Sequence, residues 1–132
     1  MIKLVPKQWG HEEIMVNTDK YCGKYLCMNY GYQLSFHYHK VKDETFYILE
    51  GMVELLTYNT DSKKVVTYLL SPGESFRILP GVVHSALTTS PYAKILEVST
   101  HDMPEDSYRV TTSQRIVDNN GKLNRVRPEE KI

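Results

Sequence analysis

The stretch Gly31 to Gly51, GYQLSFHYHKVKDETFYILEG, constrains this chain more than any other. His37 and His39 stand two residues apart in a run with strand character, Leu34, Phe36 and Tyr38. Alternate side chains of a strand share a face, so both imidazoles point the same way. By that parity Gln33 and Ser35 join them, and Leu34, Phe36 and Tyr38 take the other face. A polar turn from Lys40 to Asp43 leads into a second strand, Thr45 to Glu50, with Glu44 at its mouth. Paired as a hairpin, the two strands bring the Glu44 carboxylate back to the imidazoles. Two nitrogens and one oxygen converging on a point are a metal site in outline.

A fourth ligand comes from far along the chain, in Gly73 to His84, GESFRILPGVVH. The Pro80-Gly81 turn sets His84 at the start of a new strand. One histidine on a strand is more often a satisfied polar residue than a ligand, and a pair at i and i+2 also suits a solvated sheet face. The distant glutamate and histidine weigh against that bland alternative.

These residues resemble a known family. Gly31, five residues, His37-x-His39, four residues, Glu44, six residues and Gly51 match the first cupin motif at every named position. Gly73 followed by Pro80-Gly81-x-x-His84 is similar to the second motif, with Leu79 where a proline is usual and Thr88 where an asparagine is common. The resemblance implies an all-β double-stranded β-helix, a jelly-roll barrel. It also implies a divalent metal ion (zinc, manganese, nickel or iron) held by His37, His39, Glu44 and His84.

The rest of the chain agrees with an all-β fold. At 132 residues it is long enough for one domain with its own core, placed at about residues 7–112, with 113–132 as a C-terminal extension that is mobile or packed on a partner. Strands are expected at 11–17, across 20–29 with a bulge at Gly23, at 52–58, 65–70, 75–79, 82–87 and 92–99, about nine short strands in all. Polar or Gly/Pro turns separate them, and no helix of useful length is expected. Sixteen basic and sixteen acidic residues leave no net charge, which gives no electrostatic case for nucleic acid or a charged membrane surface. No apolar run reaches the roughly 20 residues of a membrane span, and MIKLVPKQWG lacks a signal-peptide core. Cys22 and Cys27 are too few for a disulfide framework, and their odd spacing on one strand turns them to opposite faces. A cytoplasmic location is expected.

Within the cupins, KQWGHEEIMVN, DKYCGK, LSFHYHKVKDETFYILEG and ILEVSTHDMPEDSYRV resemble the isomerase domain of bifunctional mannose-6-phosphate isomerase/mannose-1-phosphate guanylyltransferase enzymes. That domain usually has glutamine at the place of His37, arginine at Lys42, and histidine and tryptophan at Thr45 and Phe46. A closing Tyr-Gly-Arg segment is also missing. The resemblance implies aldose–ketose isomerisation of a sugar phosphate. Such chemistry needs a base, for which Glu97 is the first candidate and Asp43 a poorer one; a structurally paired carboxylate is the competing reading of Glu97. Arg77 and Lys42 are candidate phosphate grips. Arg77 is preferred because Ser75, Arg77 and Leu79 alternate with Phe76 and Ile78. Gln33 and Tyr47 are further candidate contacts, while His11 and His101 read as surface residues. An iron-dependent dioxygenase and a non-catalytic sugar-binding cupin remain the alternatives. Leu34, Phe36 and Tyr38, turned out of the barrel, call for a cover, either the chain's own N-terminal segment or a second copy; a homodimer is expected.

Overall fold

The computed structural model describes residues 2–128. Thirteen strands are formed: β1 Lys3–Lys7, β2 Gly10–Asn17, β3 Cys22–Asn29, β4 Tyr32–Gln33, β5 His37–Tyr38, β6 Glu44–Glu50, β7 Val53–Asn59, β8 Lys64–Leu70, β9 Ser75–Ile78, β10 Val83–Thr88, β11 Tyr92–Ser99, β12 Tyr108–Arg109 and β13 Gln114–Arg115. A 3-10 turn is formed at Pro104–Asp106. Among the described residues no helix is long and apolar enough to cross a membrane. Both cysteines are free thiols.

All pairings are antiparallel, in two facing sheets. One runs β1-β2-β3-β11-β6-β9, and the other β12-β5-β10-β4-β13 with β7 and β8 continuing from β10. This is the expected double-stranded β-helix. The local cause is period-two patterning. On β11, Ala93, Ile95 and Glu97 are buried and face the other sheet, while Val98 is exposed. On β6, Glu44, Phe46 and Ile48 are buried and Tyr47 and Leu49 are exposed. The inward residues of both sheets, among them Leu26, Met28, Leu34, Phe46, Ile48, Leu55, Ile78, Ala86 and Ile95, form one core with Trp9.

Gly51, which ends the first motif, turns the chain between β6 and β7 at φ +79°. A Cβ there would stand 2.2 Å from the Tyr92 carbonyl oxygen, so only glycine fits.

Three expectations are corrected. The irregularity near Gly23 lies on the facing strand, where the β2–β3 register shifts between Ile14 and Val16. Parity fails between Gln33 and His37. On β10, Leu87 pairs with Gln33 and His84 with His37, so three steps on β10 face four on the motif strand. One extra residue reverses the faces. Leu34 therefore joins the barrel core, while Gln33 turns outward to donate to Ser85 Oγ (3.1 Å) and the Val126 carbonyl (3.1 Å).

The third correction concerns the C-terminal segment. Residues 110–126 fold back over the outer face of the seven-stranded sheet, where Ile116, Leu123 and Val126 join Phe36, Leu56, Tyr58, Val83 and Leu87 in a second apolar cluster. The Gly31 carbonyl accepts from the Ile116 amide at 2.7 Å, and Arg125 pairs with Glu54. The outer face expected to need a second copy is thus covered by the chain's own C-terminal segment rather than its N-terminal one. Residues 129–132 of the extension lie outside the described residues.

Candidate metal centre

His37 lies on β5, His39 just beyond it, His84 on β10 opposite His37, and Glu44 at the first position of β6. Their donor groups meet inside the barrel. Ring centroids are 5.1 Å apart for His37–His39, 4.4 Å for His37–His84 and 5.8 Å for His39–His84. Glu44 Oε2 is 3.2 Å from His39 Nε2 and 3.7 Å from His84 Nε2.

The backbone decides what these imidazoles can do. His37 Nδ1 lies 2.9 Å from the Ser35 carbonyl, His39 Nδ1 2.8 Å from that of Asp106, and His84 Nδ1 2.9 Å from that of Val82. A carbonyl only accepts, so each Nδ1 carries the proton and each Nε2 keeps its lone pair. His84 Nε2 and Glu44 Oε2 are buried with no hydrogen-bond partner among the described residues. Burying such acceptors unpaired is costly. Three Nε2 lone pairs and a carboxylate aimed at one point are a donor set that fits a divalent metal.

The loop carrying Glu44 is fixed from the 3-10 turn. The Asp106 carboxylate accepts from the amides of Lys40 (2.9 Å), Val41 (3.2 Å) and Lys42 (3.0 Å). The Gly81 amide donates to the His39 carbonyl at 2.7 Å, tying the second motif's turn to the first.

Beside the histidines lies a buried charge network. Lys42 Nζ is 2.9 Å from Glu97 Oε2, 3.1 Å from Asp102 Oδ1 and 3.9 Å from Glu44 Oε1. Lys24 Nζ is 3.1 Å from Asp102 Oδ2 and 3.2 Å from Glu12 Oε2. Four carboxylates (Glu12, Glu44, Glu97, Asp102) face two ammonium groups (Lys24, Lys42), so the network carries an excess of acidic groups.

Burial pushes the Glu97 carboxyl up to about 7, with the Glu44 charge adding to it and Lys42 and Lys24 opposing. Burial also works on Glu44, but the His39 contact and the Lys42 ammonium hold its carboxyl well below the usual range. Burial and the neighbouring His84 hold His37 down to about 3, and burial lowers His84 too, so both rings are neutral. Burial disfavours the His39 imidazolium, yet Glu44 outweighs it and raises its affinity for a proton, which occupies the place a metal takes between the two.

These groups line a cavity of about 780 Å³, bounded also by Lys3, Lys7 and Arg109. Glu97 stands at its wall as expected, 3 % exposed. Arg77 does not. Its alternation on β9 was correctly read, but Phe76 and Ile78 take the inner side and Arg77 the outer, where its exposed guanidinium grips Asp43 through Nε–Oδ1 (3.1 Å) and Nη2–Oδ2 (2.6 Å). Asp43 is thereby removed as a base, and Tyr47 and Gln33 also lie outside the cavity. Lys42 is the residue inside. Sequence reasoning missed Glu12 and Asp102, and gave Lys24 no more than its family context. Lys24 shares the strand parity of the core residues Leu26 and Met28, the signal that places it inward.

The sequence model of the cupin domain matches residues 25–98. The chain belongs to the cupin family. Among solved structures, the capsular polysaccharide assembling protein CapF from Staphylococcus aureus superposes with a TM-score of 0.72 at 17 % identity, over 83 % of this chain and 32 % of that one. Oxalate decarboxylase from Bacillus subtilis gives 0.72 at 14 % identity, over 82 % and 30 %. Its Lactobacillus farciminis counterpart, a formate complex, gives 0.70 at 14 % identity, over 82 % and 33 %. This cupin spans about a third of the length of these structures. No curated protein matches its sequence.

Proposed function

We propose that this cupin binds a divalent metal through His37, His39, Glu44 and His84 and interconverts the aldose and ketose forms of a small sugar phosphate. The carrying observation is the set of three imidazoles whose Nδ1 protons are all spent on backbone carbonyls, leaving their Nε2 atoms aimed with Glu44 at one point. When bound, the metal supplies Lewis-acid polarisation of the sugar's carbonyl and adjacent hydroxyl oxygens. The chain's own residues do the rest. Glu97, with a carboxyl that titrates at about 7, takes a proton from one carbon and returns it to the next near neutral pH. Lys42 holds Glu97 in place at 2.9 Å. Lys3, Lys7 and Arg109 at the cavity wall grip the phosphate, a role that Arg77 cannot fill from the outer face. The resemblance to the mannose-6-phosphate isomerase domain supports the substrate class.

The test is a panel of sugar phosphates read for aldose–ketose exchange, with metal content measured on the same samples. Exchange is expected in the metal-loaded protein and absent in the His37→Ala, His84→Ala double variant, which should be folded and metal-free. Glu97→Gln should lower kcat by about 10²–10⁴-fold with metal retained. Sugar-phosphate binding without exchange would make the protein a binding module, and iron-dependent oxygen uptake would make it a dioxygenase; either result sinks the isomerase reading.

A further inference from the structure

Outside the barrel, on the outer face of the six-stranded sheet, a second group of metal-ligating side chains meets. His11 and Glu13 are two residues apart on β2 and share its outer face. Cys27 on β3 is the direct cross-strand partner of His11. His11 Nε2 lies 2.9 Å from Glu13 Oε2, and Cys27 Sγ 3.5 Å from the same oxygen. All three donor atoms fall within 4.8 Å of one another. A tetrahedral ion held at about 2.0–2.3 Å spaces its donors by roughly 3.3–3.7 Å, so side-chain shifts on the order of an ångström bring the trio to that spacing.

We propose that His11, Glu13 and Cys27 form a second metal site, selective for zinc and separate from the one in the barrel. The donor chemistry sets the ion. A thiolate with an imidazole and a single carboxylate suits zinc and its tetrahedral analogues, and is poor for magnesium, calcium or manganese, which want mostly oxygen. The barrel set of three imidazoles and a carboxylate lacks sulfur and does not discriminate in that way.

The site is built on rigid sheet in the β2–β3–β11 row, and Cys27 is 1 % exposed, so its sulfur is held in one place. Burial and the Glu13 carboxylate push the Cys27 thiol up, with Tyr92 opposing, so a bound ion displaces the thiol proton. Glu13 and Cys27 together bring two negative charges when the thiol proton is released, which balances a divalent ion. Lys94 sits opposite Cys27 on β11, and its ammonium is held 4.3 Å from the centroid of the Tyr25 ring. The His11 side chain is 41 % exposed and that of Glu13 23 %, which leaves the fourth position open to water.

Cobalt(II) tests this, because a thiolate-to-cobalt charge-transfer band arises only where sulfur is a ligand, and the barrel site has none. The full chain should show that band at one equivalent of sulfur-bound cobalt, displaced by zinc. It should vanish in Cys27→Ala and in His11→Ala, the latter a half-exposed position where folding is not at risk, and persist in Cys22→Ala. No band in the unaltered protein, or a band that survives either Cys27→Ala or His11→Ala, would overturn the proposal. The readout is independent of sugar turnover, so it stands or falls apart from the isomerase reading.

Discussion

Lys42 and Arg77 are both cations beside ligand-bearing segments, and their fates differ because of burial alone. Lys42 is 4 % exposed and satisfies Glu97 and Asp102; Arg77 is exposed on a surface ion pair with Asp43. Removing one partner of a buried pair strands the others, at a cost of about 3–5 kcal/mol. A surface pair contributes about 0–1 kcal/mol. Lys42→Met should therefore shift the urea midpoint strongly, and Arg77→Ala hardly at all; equal shifts would show that Lys42 is not held in the network. At this scale the sequence was partly legible. The four metal-ligand candidates are brought together, because their spacing is dictated by a motif. Which way Ser75, Arg77 and Leu79 point was not, because alternation fixes two faces without saying which is inner.

Between elements, the glycines and the C-terminal segment show what one strand's pattern can and cannot say. Gly51 has φ +79° with a backbone oxygen 2.2 Å from any added Cβ, whereas Gly73 has φ +93° with nothing within 4 Å. Gly73→Ala meets only the conformational penalty, about 1–2 kcal/mol. Gly51→Ala adds a backbone clash that the β6–β7 turn must move to relieve, and should lose clearly more stability in the same denaturation measurement. Ile116, 5 % exposed over Phe36 and Leu87, should cost about 2–5 kcal/mol as Ile116→Ala. Comparable stability to the unaltered protein would mean the segment is not part of the fold's core. The strands from β6 to β11 were legible because each alternates between turn residues. The cover was not, since VTTSQRIVDNNGKLNRV carries only scattered apolar residues. The extra residue between Gln33 and His37 was hidden for a related reason: a bulge is a property of the pair of strands, visible only once β10 lies alongside.

For the whole molecule, the buried titratable groups combine into a definite pH dependence of the metal-free protein. His37 and His84 are held neutral in the fold, His37 down to about 3, while an unfolded chain protonates them near 6.5. The unfolded state thus binds more protons, and these two groups make stability rise with pH between about 3 and 6.5. Glu97 acts with the opposite sign: its folded carboxyl, at about 7, keeps a proton that the unfolded chain loses near 4.5, so its contribution falls as pH rises through that window. Asp102, held down to about 2 because Lys42 and Lys24 outweigh its burial, adds stability that is lost only as pH drops below about 4. Between about pH 4.5 and 6 the two rising histidines outweigh Glu97, with Glu44 adding to the rise near pH 4.5; His39, whose proton affinity is raised in the fold, adds to the fall only as pH nears 6.5 and above. A net difference of one proton corresponds to at most about 1.4 kcal/mol per pH unit, so the urea midpoint should climb with pH across this range. Glu97→Gln removes the opposing group and should steepen the climb. The His37→Ala, His84→Ala variant removes both rising groups and should reverse its sign. Divalent metal binds only the deprotonated donors and stabilises the fold by mass action, so its addition should raise the midpoint at pH 7 far more than at pH 4.5. An unreversed slope in the double variant, measured without metal, would mean that the imidazoles are not the buried neutral groups on which the metal centre depends.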